Sequence, residues 1–209
     1  MSSSANVGDP GSGPPNPGPY LQTVSGHWVN PFDPDPGQIE LADIARALAN
    51  QCRFGGHCRT FYSVAQHCVL VSELIEEEGG STEDALAALM HDAAEAYLGD
   101  LPHPIKHRSQ LGAAFIEAEK PLELAIRDRF AITDSSAAVK RIDRALLATE
   151  RRAFSAERWD WPELSGVAPL DLELQAWSPD EAAETFVRRF ETLVARRRAA
   201  RSPARPRPA

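Results

Sequence analysis

Apolar residues recur along the middle of the chain with the period of an amphipathic helix. The first clear pattern places Leu41, Ile44 and Leu48 on one helix face, and the segment RFGG at 53–56 ends it. Further patterns, each bounded by Ser, Gly or Pro, predict helices over about 63–77, 81–99, 111–130 with an interruption or kink at Pro121, 136–154, and from Ser178 to about Val194. Almost no segment alternates like a strand, so the sequence predicts an all-α fold, a single helical bundle.

The two ends of the chain differ in composition from this helical middle. The first residues are rich in Ser, Gly and Pro, and the last are rich in Arg, Ala and Pro. Such segments bury too little apolar surface to offset the entropy of ordering. The sequence therefore predicts a disordered leader over 1–24, one folded domain over 25–195, and a disordered tail over 196–209.

Charge and cysteine content narrow the classes of function. Residues 196–209 hold six Arg and no acid, which leaves 16 basic against 30 acidic residues, a net charge of −14, in the rest of the chain. An acidic body disfavours nucleic acid polymers as partners. Three cysteines without CxxC spacing favour reduced thiols, and no apolar run is long enough to span a membrane. We expect a cytoplasmic protein without a membrane partner.

Polar residues interrupt the apolar stripes of three predicted helices. His91, Asp92 and Glu95 fall within LMHDAAEAYLGD, where helical spacing turns all three toward one neighbourhood. An isolated His-Asp pair more often has only a local structural role, in which the imidazole caps the helix or forms a nearby hydrogen bond. Asp92 and Glu95 would then be exposed to solvent. His67 and Asp143, however, lie on or beside the inner stripes of two other helices, so three helices each bring a polar side chain inward.

A bound cation would account for this buried polarity. Uncompensated burial of an imidazole and two carboxylates costs several kcal/mol by general estimates. Two imidazoles and two carboxylates form a mixed nitrogen and oxygen set that suits Mn, Co, Fe, Ni or Zn, with Mg less natural. A divalent metal ion bound among these side chains would resolve the cost of burying them.

The ordered set of His67, His91-Asp92 and Asp143 resembles the HD-domain superfamily of metal-dependent phosphohydrolases, and most closely its YfbR-type 5′-deoxynucleotidase branch and related phage proteins. The resemblance covers about residues 26–155, and the strings DIARALANQCRFGGHCRTFYSVAQH and ALMHDAAEAYLGDLPHPIK carry it. It implies an HD helical bundle in which these four residues are the metal ligands.

The resemblance also implies roles for further residues. Glu95 and Asp100 match active-site carboxylates that position or protonate, and Arg53 matches an arginine that clamps phosphate. Phe54 stands where the deoxynucleotidases have Trp, and an aromatic ring there would pack on sugar or base.

Two more residues are candidates from their own positions in the sequence. Lys106 follows the carboxylates through a Pro-rigid loop and could reach phosphate as a point charge, although a lysine there is often only solvated. His57 could serve the substrate site as an auxiliary acid or base group, although a lone loop histidine is more often structural.

We expect a nucleoside 5′-monophosphate as the substrate, with a (deoxy)nucleoside triphosphate as the alternative. The few Lys and Arg near the motifs favour the monophosphate. A di-iron oxygenase would need more histidine ligands, and a non-catalytic nucleotide sensor would be expected to lack a ligand or Glu95. Oligomeric state is open from the sequence, with a homodimer plausible.

Overall fold

Helices account for most of the chain in the computed structural model, which describes residues 14, 16–156 and 158–201. The α-helices in this part are α1 (Leu41–Asn50), α2 (Val64–Glu77), α3 (Thr82–Leu89), α4 (Glu95–Leu98), α5 (His103–Arg108), α6 (Gln110–Phe130), α7 (Ala137–Phe154) and α8 (Pro179–Arg201). Short 3-10 turns lie at Pro36–Gln38, Arg53–Gly56 and Pro162–Leu164. The prediction of an all-α fold is confirmed.

Serine side chains fix where several of these helices begin. Ser63 caps α2, Ser81 caps α3 in a reciprocal capping box with Asp84, and Ser136 caps α7. The hydroxyl of Ser178 accepts a hydrogen bond from a backbone amide at the start of α8. Each serine satisfies a first-turn N–H that has no intrahelical partner, so the helix starts follow directly from the local sequence.

The central element of the bundle is α2, which packs against α1, α3, α7 and α8. Nine of its residues are buried, including Val64, Val71 and Ile75. His67 belongs to this buried set and has no exposed surface. The most enclosed helix of the fold therefore carries the first predicted metal ligand.

The leader predicted as disordered over 1–24 includes a short strand at its end. Residues Leu21–Gln22 form the short strand β1, which pairs antiparallel with β2 at Trp28–Val29. Tyr20 adds an edge-to-face contact with Trp28, with ring centroids 5.2 Å apart. Residues 1–13 and 15 lie outside the described part of the chain.

The tail predicted as disordered over 196–209 begins within α8, which continues to Arg201. These arginines meet acidic and carbonyl partners on the bundle: Arg196 pairs with Glu76, and Arg201 pairs with Glu83 at 3.0 Å. The composition of the tail predicts a solvated segment. It does not show that acidic residues of α2 and α3 lie opposite these arginines in the folded protein. Residues 202–209 lie outside the described part.

None of the helices described here is long and apolar enough to cross a membrane.

Helix α5, which the sequence did not predict, packs closely on the start of α6. Gly112 makes this approach possible, since a Cβ atom there would lie 1.9 Å from the carbonyl oxygen of Lys106. No side chain fits between the two backbones. The position of Lys106 therefore depends on a glycine six residues further along the chain.

We predict that Gly112→Ala destabilises the protein by about 1–3 kcal/mol, because the added methyl group forces α5 away from α6. Urea unfolding followed by circular dichroism measures the effect. The control Ala113→Gln places a longer side chain at an exposed neighbouring position and should change the free energy of unfolding by no more than about 0.5 kcal/mol. Equal stability of the Gly112 variant and wild type would contradict the packing argument.

Candidate metal centre and pocket

A cavity of about 620 Å³ opens beside α7 and the turn at Arg53–Gly56. Eight of the ten site residues predicted from the sequence line it: Arg53, Phe54, His57, Asp92, Glu95, Asp100, Lys106 and Asp143. The other two, His67 and His91, lie directly against the lining carboxylates. The structure thus brings residues from α2, α4, α5, α7 and the segments between them to one pocket.

The four predicted ligands meet at the base of this cavity. His67 Nε2 lies 3.1 Å from Asp143 Oδ1 and 3.9 Å from Asp92 Oδ2. His91 Nε2 lies 3.1 Å from Asp92 Oδ2 and 4.0 Å from Asp143 Oδ1. Ligand atoms of His67, His91 and Asp92 all fall within 4.8 Å of one another. One cation could therefore contact His67, His91 and Asp92, and Asp143 Oδ1 lies beside both imidazoles.

The hydrogen bonds of the two imidazoles leave both Nε2 atoms available to bind a cation. His67 Nδ1 lies 2.7 Å from Glu150 Oε1, and His91 Nδ1 lies 2.7 Å from the carbonyl oxygen of Ala88. Both oxygens can only accept from the ring, so each Nδ1 carries a proton and a neutral ring keeps its lone pair on Nε2. Both Nε2 atoms are buried without a hydrogen bond in the described residues. The donor set fits a divalent metal ion.

The electrostatics of this cluster favour positive charge. Burial lowers the pKa of His91, but the adjacent Asp92 carboxylate and the Cys68 thiol together outweigh burial, and the pKa ends well above its usual range. Burial raises the pKa of Asp92, and His91 then brings it well below the ordinary value. A cation would compete with protons for the same imidazole nitrogens, so metal affinity should depend on pH.

The helix predicted over 81–99 is in fact two helices, and His91 and Asp92 lie in the break between them. From Met90 to Ala94 the backbone forms turns, with i to i−3 bonds such as Glu95 N–H to the Asp92 carbonyl at 3.0 Å. Adjacent side chains of a regular helix point about 100° apart. The break accommodates the close approach of two consecutive side chains, and the Ala-rich sequence gives no sign of it.

Sequence reasoning missed Glu150, which connects the candidate metal cluster to the predicted phosphate clamp. Its side chain is fully buried on α7, two turns after Asp143. Besides His67, it accepts a hydrogen bond at 3.2 Å from Nε of Arg53. Burial raises the pKa of Glu150, but Arg53 and His67 outweigh burial and lower it below its usual value. The spacing of seven residues from Asp143 was the available signal.

Arg53 is held rigidly although it comes from a turn. It is buried, its amide donates to the Tyr62 carbonyl at 2.9 Å, and its Nη1 lies 3.8 Å from Asp92 Oδ2. Phe54 follows in the left-handed region with φ of 60°, a conformation that non-glycine residues seldom adopt. This backbone geometry places the side chains of Arg53 and Phe54 in the wall of the pocket.

The two predicted catalytic carboxyls lie close together above the ligands. Burial raises the pKa of Glu95 well above its usual range, and repulsion from Asp92 and Asp100 adds to the effect. Glu95 Oε2 has no hydrogen-bond partner in the described residues. Burial also raises the pKa of Asp100. Gln51 joins the two segments by donating to the Glu95 carbonyl at 2.8 Å and accepting from the Asp100 amide at 3.1 Å.

The remaining predicted residues lie further from the ligands. Lys106 lines the pocket, but its Nζ is already bonded to Glu119 Oε1 at 2.7 Å. His57 is exposed at the pocket wall. Trp159 and Trp161 also line the cavity, and sequence reasoning did not assign them to the site.

Fold and site together define an all-α protein with a candidate metal centre at the base of a pocket. No family model matches the chain. The uncharacterized protein YfdR of Escherichia coli K12 is 36% identical over 184 residues, covering 87% of this chain and 99% of YfdR. The uncharacterized protein RCAP_rcc00048 of Rhodobacter capsulatus is 37% identical over 189 residues, covering 84% of this chain and 95% of that protein. The chain belongs to the family of these two proteins.

We predict that Glu150→Gln weakens Mn²⁺ binding about 10- to 100-fold, since the His67 imidazole loses the carboxylate that orients it. The variant should also lose about 3–5 kcal/mol of folding free energy, because Arg53 becomes a buried charge without its partner. Competition with a metal-sensitive dye and urea unfolding measure the two effects.

The control for this prediction is Glu184→Gln, which removes an exposed carboxylate from α8. It should leave metal affinity unchanged and alter the unfolding free energy by no more than about 0.5 kcal/mol. A folded Glu150 variant with the Mn²⁺ affinity of wild type would contradict the orienting role.

Proposed function

We propose that this protein is a metal-dependent phosphohydrolase of the HD type that releases phosphate from (deoxy)nucleoside 5′-monophosphates. The observation that carries the proposal is the meeting of His67, His91, Asp92 and Asp143 at the base of the pocket, where Nε2 of both histidines is buried without a hydrogen bond. The resemblance in residue order supplies the reaction class.

In the proposed reaction the four ligands would hold the metal ion, and two further carboxyls, Glu95 and Asp100, would transfer protons. When bound, a divalent cation supplies Lewis acidity, which polarises a phosphoryl oxygen and makes water a better nucleophile at neutral pH. Burial raises the pKa of Glu95 well above its usual range, which favours the protonated carboxyl that can protonate the leaving 5′ oxygen. Asp100 lies beside it as a second proton acceptor or donor.

Arg53 is the group best placed to bind the phosphate. Its guanidinium lines the pocket within 3.8 Å of the ligand Asp92, and Glu150 fixes its Nε edge. The planar guanidinium can present two parallel N–H groups to phosphate oxygens. The buried ion pair therefore preorganises the clamp before the substrate arrives.

Charge compensation in the pocket supports a monophosphate over a triphosphate. Lys106 is paired with Glu119 at 2.7 Å, and Arg108 is paired with Glu163 at 3.1 Å. With Arg53 bonded to Glu150, each of these three lining cations already has its own carboxylate. A triphosphate brings more negative charge than this arrangement can neutralise.

We also propose that the protein works in the cytoplasm. Its three cysteines are free thiols, and the sulfur atoms of Cys52 and Cys58 lie 3.4 Å apart without a disulfide. Reduced thiols in such proximity are typical of a reducing compartment.

We predict that the Mn²⁺-loaded protein releases phosphate from nucleoside 5′-monophosphates and that a chelator abolishes this release. Asp92→Asn should lose both the metal and the activity, because a neutral amide is a poor ligand for a divalent cation. A phosphate assay over mono-, di- and triphosphates, with elemental analysis of each protein, tests both. Equal activity of wild type and Asp92→Asn would overturn the mechanism, and release of triphosphate alone would favour the alternative substrate.

Glu95→Gln separates proton transfer from metal binding. We expect the variant to keep its metal while kcat falls about 10²- to 10⁴-fold, as is usual when a general acid is removed. Steady-state kinetics on the metal-loaded variant provide the measurement. An unchanged kcat would remove Glu95 from the mechanism.

A further inference from the structure

The pocket extends beyond the groups that would hold a metal and a phosphate. Cavities of about 300–1,000 Å³ commonly enclose a whole drug-sized ligand. This cavity measures about 620 Å³, and the segment after α7 contributes two aromatic side chains to it, Trp159 and Trp161. The phosphate-binding groups leave this aromatic part of the cavity without a role.

The Trp161 indole forms part of the cavity wall and is held by two neighbouring side chains. The Arg151 guanidinium lies over the ring at 5.4 Å, and Phe54 approaches at 6.0 Å with its plane inclined by 63°. Trp161 nevertheless lines the cavity. The contacts with Arg151 and Phe54 hold the ring in place, so a planar group that enters the cavity meets an ordered indole.

Trp159 is 71% exposed, although it also lines the cavity. Its backbone carbonyl accepts a hydrogen bond at 2.6 Å from Arg151 Nη2. The same arginine therefore anchors both tryptophans to α7. A large apolar ring held beside a pocket gains free energy when a ligand covers it.

Phe54 connects the aromatic wall to the phosphate clamp. It follows Arg53 in the chain, and the Arg53 guanidinium lies 5.6 Å from the Phe54 ring centroid. The same ring also contacts Trp161. A ligand with its phosphate at Arg53 and a flat ring at Trp161 would therefore cross Phe54 with the portion between them.

We propose that Trp161, assisted by Trp159, is the stacking platform for the planar base of the substrate. The proposal rests on the proposed function for the identity of the ligand as a nucleoside 5′-phosphate. Its own evidence is the anchored indole in the cavity wall, separated from Arg53 by one phenyl ring. Trp161 determines specificity by favouring phosphate esters that carry a flat ring.

The test compares substrates with and without a base. In Mn²⁺-loaded protein, Trp161→Ala should lower kcat/KM for a nucleoside 5′-monophosphate about 10- to 100-fold through KM, the effect usual for loss of one base–aromatic stack. Hydrolysis of ribose 5-phosphate, which has no base, should stay within about twofold of wild type. Trp161→Phe should recover most of the loss, and Trp159→Ala should show a smaller one.

Equilibrium binding gives a readout independent of turnover. Calorimetric titration of the Mn²⁺-loaded proteins with the same two ligands should show tighter nucleotide binding in wild type and loss of that advantage in Trp161→Ala. If wild type binds nucleotide in this way but hydrolyses nothing, the stacking platform stands and the proposed reaction fails.

The control variant is Phe32→Ala, which removes an aromatic side chain that is 56% exposed and does not line the cavity. It should leave both substrates unaffected. Equal losses on nucleotide and ribose 5-phosphate in Trp161→Ala, or no loss on either, would overturn the proposal. A wild-type protein that shows no preference for the nucleotide in hydrolysis or binding would overturn it as well.

Discussion

The candidate site depends on one buried carboxylate. Glu150 accepts hydrogen bonds from His67 through one oxygen and from Arg53 through the other. A fully buried carboxylate is costly unless it is paired, and here both oxygens are used. The pairing fixes the tautomer of a proposed metal ligand and the direction of the guanidinium together. On the proposed function, metal binding and phosphate binding thus have a common structural support.

The sequence could predict the parts of the site that lie on regular amphipathic helices. His67 and Asp143 stand on or beside the inner stripes of α2 and α7, where periodicity alone assigns them to the interior. Glu150 lies seven residues after Asp143 on the same helix face, but it is followed by Arg151 and Arg152 and looks like part of a charged surface. Its role depends on Arg53, which lies 97 residues away in the sequence.

Other differences between expectation and structure have the same origin in long-range packing. The break after α3 lies in a stretch whose alanines favour continuous helix. The chain there nevertheless forms turns, which bring the side chains of His91 and Asp92 together. The C-terminal arginines continue α8 because acids on neighbouring helices lie opposite them. Local composition does not show which residues from distant parts of the chain become contact partners in the folded protein.

Helix α7 carries Glu150 and Arg151 as consecutive residues, one supporting the candidate metal cluster and the other the two tryptophans. Their backbone separation is set by covalent geometry and does not change with the ligand. On the proposed assignments, Glu150 and Arg151 together set the distance between the phosphate-binding arginine and the stacking ring. Molecules with a shorter or longer spacer could occupy only one end of the pocket at a time, so substrate length is selected by the fold itself.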